Sequence, residues 1–158
     1  MVKSPRARLQ CGFTLVELVM VIAITGILAA VVVPRFASRS DFELAGFAEA
    51  ARAALRLAQK TAVAQHRSVS ANLDSSAGKI SLCYDSAYPC ATPLADPASS
   101  GAFKVSAPTG ISLSSSAAQL IFDWTGSPNG TGTTLTVSGG TGGTTVVVTV
   151  DANTGYVY

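Results

Sequence analysis

One carboxylate, Glu17, stands inside an otherwise apolar run, and its position needs a chemical reason. The nineteen residues Leu15 to Val33 contain only Glu17 and Thr25 as polar side chains. A charged group placed at mid-bilayer costs ~2.5–3.5 kcal/mol on insertion scales, so a retained one has a task, most simply pairing with a cation. Other reactive side chains are sparse. There are three cysteines (Cys11, Cys83, Cys90) and one histidine, His66, with no CxxC pair, so neither a metal nor another cofactor is expected. A lone histidine near a helix end reads as a surface or capping residue rather than a general base. No nucleophile elbow, phosphate-cradling loop followed by Lys-Ser/Thr, or HExxH helix is present. The glycines from Gly126 to Gly143 have the spacing of loop and hairpin, and Asn129-Gly130-Thr131 matches a glycosylation sequon of a kind that arises often by chance. No catalytic residues are expected, and the chain is not expected to be an enzyme.

The element that carries Glu17 is long enough to matter. At ~1.5 Å per residue, Leu15–Val33 spans roughly 28 Å, close to a bilayer's hydrocarbon thickness of ~30 Å. Lys3, Arg6 and Arg8 precede it, while only Arg35 and Arg39 follow closely. By the positive-inside rule the short leader stays in the cytoplasm and the C-terminal bulk is exported. A secretory signal has a shorter apolar run, of ~7–15 residues, and no carboxylate near its start. A lipoprotein signal would need its apolar run before Cys11, where Arg6 and Arg8 stand instead. An ordinary single-span anchor explains the length but not Glu17.

Composition agrees. Apolar residues make up 48% of the chain and charged residues 13%, which points to one strongly hydrophobic segment beside an ordinary domain. The formal charge is +2; the leader cations account for +3, so the remainder is slightly acidic and offers no global attraction to nucleic acid.

Gly12-Phe13-Thr14-Leu15-Val16-Glu17, followed by an apolar helix ending at Pro34, resembles the N-terminal signature of type IV pilins and type II secretion pseudopilins. The resemblance implies that a prepilin peptidase cuts after Gly12 and that Phe13 is then N-methylated. It makes Glu17 the carboxylate that sets subunit register and Pro34 a helix-kinking proline. Cutting there frees an α-amine four residues before Glu17, one helical turn away. Between neighbouring chains, Glu17 of one would meet the Phe13 amine of the next. A buried pair of this kind adds little net stability but fixes register, because a mis-staggered neighbour leaves both charges unpaired. Removing the leader also removes Cys11, and in an oxidising compartment the remaining pair, Cys83 and Cys90, is expected to form a disulfide.

Beyond Pro34, Leu44, Ala48, Ala51, Leu55, Ala58 and Ala62 fall on one helical stripe with Phe47 at its margin. One long helix from Phe13 to about His66 is expected, bent or broken between Pro34 and Ser40. Arg52, Arg56, Lys60 and Arg67 form a neighbouring basic stripe. It reads as a solvated face, with Glu49 pairing to Arg52, in preference to a nucleic-acid contact, since no aromatics are interleaved. From Ser68 the period becomes two, with strands expected over 68–73, 79–84, 111–113, 119–123, 134–137, 144–150 and, briefly, 156–158. Gly139–Gly143 is a hairpin loop, and 86–110, holding four of the seven prolines, reads as a surface excursion suited to variable binding. Phe122 and Trp124 are expected in the core or against a sheet. The stretches 55–60, 64–69, 122–128 and 154–157 resemble GspH/FimT-type (MshC-like) minor pilins.

The expected architecture is α+β: a pilin fold with a long N-terminal helix, half membrane-borne and half amphipathic, packed on an antiparallel sheet. Its parts are a cytoplasmic prepilin leader (1–12, removed), a transmembrane or filament-core helix (13–34) and an exported pilin domain (35–158). The resemblance implies a structural filament subunit, a minor (priming or tip) pilin, stored in the bacterial inner membrane and later in the filament. Its partners would be other pilin subunits, the prepilin peptidase/methyltransferase and an inner-membrane assembly platform. Alternatives are a type II secretion pseudopilin, a major pilin, or a DNA-uptake or adhesive minor pilin.

Overall fold

The computed structural model describes residues 13–36, 39–87, 90–140 and 142–158, with the backbone alone for 31–36. Gly12 and the other residues of the expected leader (1–12) lie outside the described residues. By contacts the chain divides into two compact units, Met1–Ala37 and Ser38–Tyr158. The first contains helix α1 (Leu15–Phe36). The second contains helix α2 (Arg39–Gln65) and seven strands among the described residues: β1 (Val69–Asp74), β2 (Lys79–Cys83), β3 (Lys104–Ser106), β4 (Ser112–Ser115), β5 (Gln119–Phe122), β6 (Thr133–Gly139) and β7 (Thr144–Val150). Helix is thus found on both sides of the expected break, and residues 37–38, where it would fall, lie outside the described residues.

The strands form two antiparallel sheets rather than one, in the orders β3-β2-β1-β5 and β4-β6-β7. Both are built on α2, whose buried stripe is Leu44, Phe47, Ala48, Ala51, Ala54, Leu55, Ala58 and Ala62. Five of these eight residues are alanines, whose small side chains shorten the distance a strand must keep from the helix axis, so that strands of both sheets pack against one helix. Val69, Ala71, Leu73, Ile80, Leu82, Leu120 and Phe122 close the core from the first sheet; Leu113, Leu135, Val137, Val148 and Val150 close it from the second. At ~25 cal/mol per Å² of apolar surface removed from water, this single core is the main favourable term holding the unit together.

β1 is central in its sheet and buried on both faces: Ser70 and Asn72, opposite the helix side, are 1% and 2% exposed. Their polar groups are satisfied locally. Asn72 Nδ2 donates to Cys83 Sγ at 3.2 Å, Gln119 Nε2 donates to Asn72 Oδ1 at 2.8 Å, and Ser70 Oγ donates to the carbonyl of Cys83 at 3.3 Å. Burying these groups unpaired would cost ~1–3 kcal/mol each.

The excursion 86–110 is not purely a surface loop. It returns along the free edge of β2: Leu94 N donates to Leu82 O and Tyr84 N to Thr92 O, Leu94 is buried, and β3 continues the pairing through Ile80↔Val105. β2 is covered in this way, and the edge left on that side is the three-residue β3, too short to template pairing with another chain. A three-residue strand is too short to show alternation, which is why periodicity misses it. The expected strand at 156–158 is a single bridge, Val150↔Val157, flanked by reciprocal bonds between Thr149 and Tyr158 at 2.9 and 3.0 Å.

Candidate functional site

Helix α1 starts with a cap. Thr14 precedes the first helical residue, and its Oγ1 accepts the backbone N–H of Glu17 at 3.2 Å. Thr14-Leu15-Val16-Glu17 is therefore a T-x-x-E capping sequence, a signal carried by the spacing of these residues alone. Glu17 sits in the first turn, where the helix dipole favours a carboxylate. Every described side chain from Phe13 to Ala30 is exposed, Phe13 and Leu15 each at 78%. Such a contiguous apolar face on a folded chain marks a surface made for lipid or for partners. Thr25 returns its hydroxyl to the carbonyls of Val21 and Ile22 at 2.8 and 3.1 Å, which removes its polar cost in an apolar surrounding. Among the described residues no helix is long and apolar enough to cross a membrane. The expected span runs to Val33, three residues past the last described side chain of α1, and Pro34 lies in the same backbone-only stretch.

The basic stripe does not survive as one surface. Arg52 pairs with Glu49, as expected, and its Nη2 also reaches Val147 O at 3.4 Å. Arg56 Nη2 donates to Val157 O at 2.9 Å, and the Arg67 guanidinium lies 4.0 Å over the Tyr84 ring. Lys60 is exposed. Two of the four cations thus satisfy carbonyls on β7 and on the C-terminal segment that covers it.

Between Arg56 and Lys60 on α2 is Gln59, which the sequence does not single out. Its Nε2 donates to Gly126 O and to Thr154 O, both at 3.0 Å. Gly126 and Thr154 belong to two turns of similar build. Asp123 Oδ1 accepts Thr125 N, Thr125 Oγ1 and Ser127 N; Asp151 Oδ1 accepts Asn153 N, Thr154 N and Thr154 Oγ1. Ser127 Oγ joins the turns through Asn153 O at 2.9 Å. The result is a clamp between α2, the loop after β5 and the loop after β7. Trp124, expected with Phe122 in the core or against a sheet, instead lies 58% exposed on this clamp with its ring centroid 6.3 Å from that of His66. Phe122 is buried as the last residue of β5, paired with Val69, whereas the Asx turn that follows carries residue 124 outward, because strand alternation does not extend through a turn. His66 ends α2 at a positive φ of 49°, with Arg67 N bonded to Ala62 O and His66 N to Val63 O. That is a Schellman cap, so the histidine is structural at its backbone.

Hydrogen bonds hold both aspartates below their ordinary carboxyl value of 3.8, chiefly the Thr125 hydroxyl for Asp123 and the Thr154 backbone N–H for Asp151. A depressed folded value means a stabilising contribution that is full above the unfolded value and lost as pH falls through the folded one. Thermal stability should therefore be level above about pH 5 and decline below about pH 4. A D123N/D151N double variant should show less of that decline in a melting series; an unchanged decline would place its source elsewhere. Both groups are solvent-exposed, so the effect is small.

Cys83 and Cys90 are joined by a disulfide with Cα atoms 6.0 Å apart. It closes the start of the excursion onto β2, with Asp85 Oδ2 accepting Thr92 N at 2.6 Å across the loop mouth. Closing a loop this short is worth ~2.5 kcal/mol on the chain-entropy estimate. Thiol alkylation of the non-reduced, exported protein should label neither cysteine, and C83S should lower stability by about that amount; full labelling would contradict the bond. No group of three or more His, Cys, Asp or Glu that could hold a metal exists among the described residues.

Comparison with known proteins agrees with this geometry. The prokaryotic N-terminal methylation motif matches residues 7–33, and the family of the type II transport protein GspH matches residues 48–154. The crystal structure of the type IV minor pilin FimU of Pseudomonas aeruginosa PAO1 is 20% identical, with a TM-score of 0.59 over 75% of this chain and 88% of that one. The minor pseudopilin EpsH from the type 2 secretion system of Vibrio cholerae is 15% identical, with a TM-score of 0.54 over 70% of this chain and 90% of that one. At these identities the likeness carries the fold, which is the expected α+β pilin fold. No curated protein matches. A methylation motif ahead of a domain match that covers more than half of the chain settles the family: the chain belongs to the type II transport protein GspH family of type IV pilin-like proteins.

Proposed function

We propose that this chain is a structural subunit of a type IV pilus or related filament, a minor pilin with a priming or tip role, and not an enzyme. The observation that carries the reading is the coincidence of the methylation motif, with Glu17 in the first turn of an exposed apolar helix, and a GspH-family domain behind it. In this reading residues 1–12 are a leader removed after Gly12, 13–34 anchor the subunit in the inner membrane and later in the filament core, and 35–158 are exported. Its partners are other pilin subunits, the prepilin peptidase/methyltransferase and the assembly platform. A pseudopilin role is the second reading, favoured by the family match and the EpsH-like fold. DNA uptake has less support, because Arg52 and Arg56 are spent on carbonyls within the fold.

The test is intact mass and N-terminal analysis of membrane-extracted protein, beside a Gly12→Ala variant. The wild type should begin at N-methylated Phe13, with the variant at least tenfold less processed. An uncut wild type, or one cut beyond Val33, would reduce the segment to an ordinary anchor or signal.

A further inference from the structure

A polar cleft of about 370 Å³ opens beside the disulfide loop, lined by Ser68, Ser70, Tyr84, Asp85, Ser86, Ile121 and Asn129. Its volume falls within the ~300–1,000 Å³ usual for small-molecule sites. Asp85 is anomalous there. Its Oδ2 accepts Thr92 N and its carbonyl accepts the Ser70 hydroxyl, yet Oδ1 is shut off from solvent with no hydrogen-bond partner, the one such side-chain atom among the described residues. A buried acceptor without a donor is costly, so one held at the margin of a polar cleft is a candidate to accept from a ligand hydroxyl.

We propose that this cleft binds a neutral hydroxyl-rich ligand, namely a terminal hexopyranose residue of a surface glycan, with a sugar hydroxyl donating to Asp85 Oδ1. A turn about the Cβ–Cγ bond of Asp85, a soft torsion, would bring that oxygen toward the cleft and lengthen the Oδ2 bond from Thr92 N as the ligand hydroxyl takes its place. The charges select the ligand class. The Asp85 carboxylate opposes an anion, while the Arg67 guanidinium, stacked 4.0 Å over the Tyr84 ring of the cleft wall, opposes a cation. The serine hydroxyls and the Asn129 amide both donate and accept, as a polyol requires. A single carboxylate in the lining does not make a cation site. The larger cavity of about 620 Å³, around Leu73, Ser75 and Ala118, has no such unpaired acceptor and serves as the control.

The site stands on the exported domain and does not depend on which filament the subunit joins. The experiment is saturation-transfer NMR on the full chain in detergent with methyl pyranosides of glucose, galactose and mannose, a methyl amino sugar and a methyl uronate. At least one neutral glycoside should bind in the millimolar range, with Asp85→Asn weakening it tenfold or more and Ser75→Ala, in the control cavity, leaving it unchanged. Asn can keep accepting from Thr92 N while it replaces the free acceptor by a donor. Should Asp85→Asn misfold, Ser68→Ala is expected to weaken binding several-fold. No saturation with any neutral glycoside, binding of only a charged one, or equal binding by every variant that folds would overturn the proposal.

Discussion

Glu17→Gln should leave the subunit membrane-inserted and processed but reduce its recovery in sheared filaments by more than tenfold. The carboxylate is the one formal charge between Leu15 and Val33, and its proposed partner is the α-amine created at Phe13 of a neighbouring subunit. Removing it lowers the insertion cost of the helix, so storage in the membrane should not suffer. What is lost is the penalty on a wrong stagger, since the amine is then unpaired in every register. The local alternative is that Glu17 acts only at the start of the helix, where Thr14 already caps its N–H. Thr14→Ala separates the two. It removes a cap worth about 1 kcal/mol but leaves the charge pair intact, so assembly should persist. Equal assembly defects in Thr14→Ala and Glu17→Gln would mean that helix initiation, not register, is what Glu17 supplies.

Gly155→Ala should be the most damaging single methyl in the unit Ser38–Tyr158. Gly155 has a φ of +69°, which costs an L-residue ~1–2 kcal/mol, and an added Cβ would stand 2.2 Å from Gly126 O and 2.8 Å from Gln59 Nε2. The nearest atom is backbone, so nothing rotates out of the way. The two turns that Gln59 joins must separate or the end of the chain must lift off β7, taking the Arg56–Val157 bond with it. A loss on the order of 3–5 kcal/mol is expected, or roughly 10–20 °C in melting temperature for a unit of this size. Gly142→Ala, where φ is also positive but no atom lies within 4 Å, isolates the conformational cost and should lose no more than ~1–2 kcal/mol. Equal losses in the two variants would show that the clamp is not under steric constraint.

Much of the fold is legible because its signals are periodic and local. The stripe from Leu44 to Ala62 follows from helical spacing, and the residues named from it are buried. The strands at 69–74, 79–83 and 144–150 follow from alternation or from an unbroken β-branched run. β3 escapes because three residues carry no period. The split into two sheets escapes because hydrophobic pattern records which face is buried, not which neighbour a strand chooses. Trp124 misleads because aromatic size argues for burial, while an Asx turn at Asp123 decides where residue 124 points.

The candidate assembly segment was almost wholly in the sequence. A basic N-terminal stretch, Gly12-Phe13, a carboxylate five residues past the glycine and a long apolar run are properties of a single stretch of chain, so no long-range contact is needed to read them. The chemistry of the unit Ser38–Tyr158 is the reverse. That Arg52 and Arg56 are structural, that Gln59 holds two distant turns, and that Asp85 keeps an unpaired oxygen beside a cleft all depend on partners 15 to more than 100 positions away. Composition and spacing say which side chains can form bonds. Only the packing of α2 against two sheets decides which carbonyls they meet, because burial makes an unpaired polar group costly and so forces the choice.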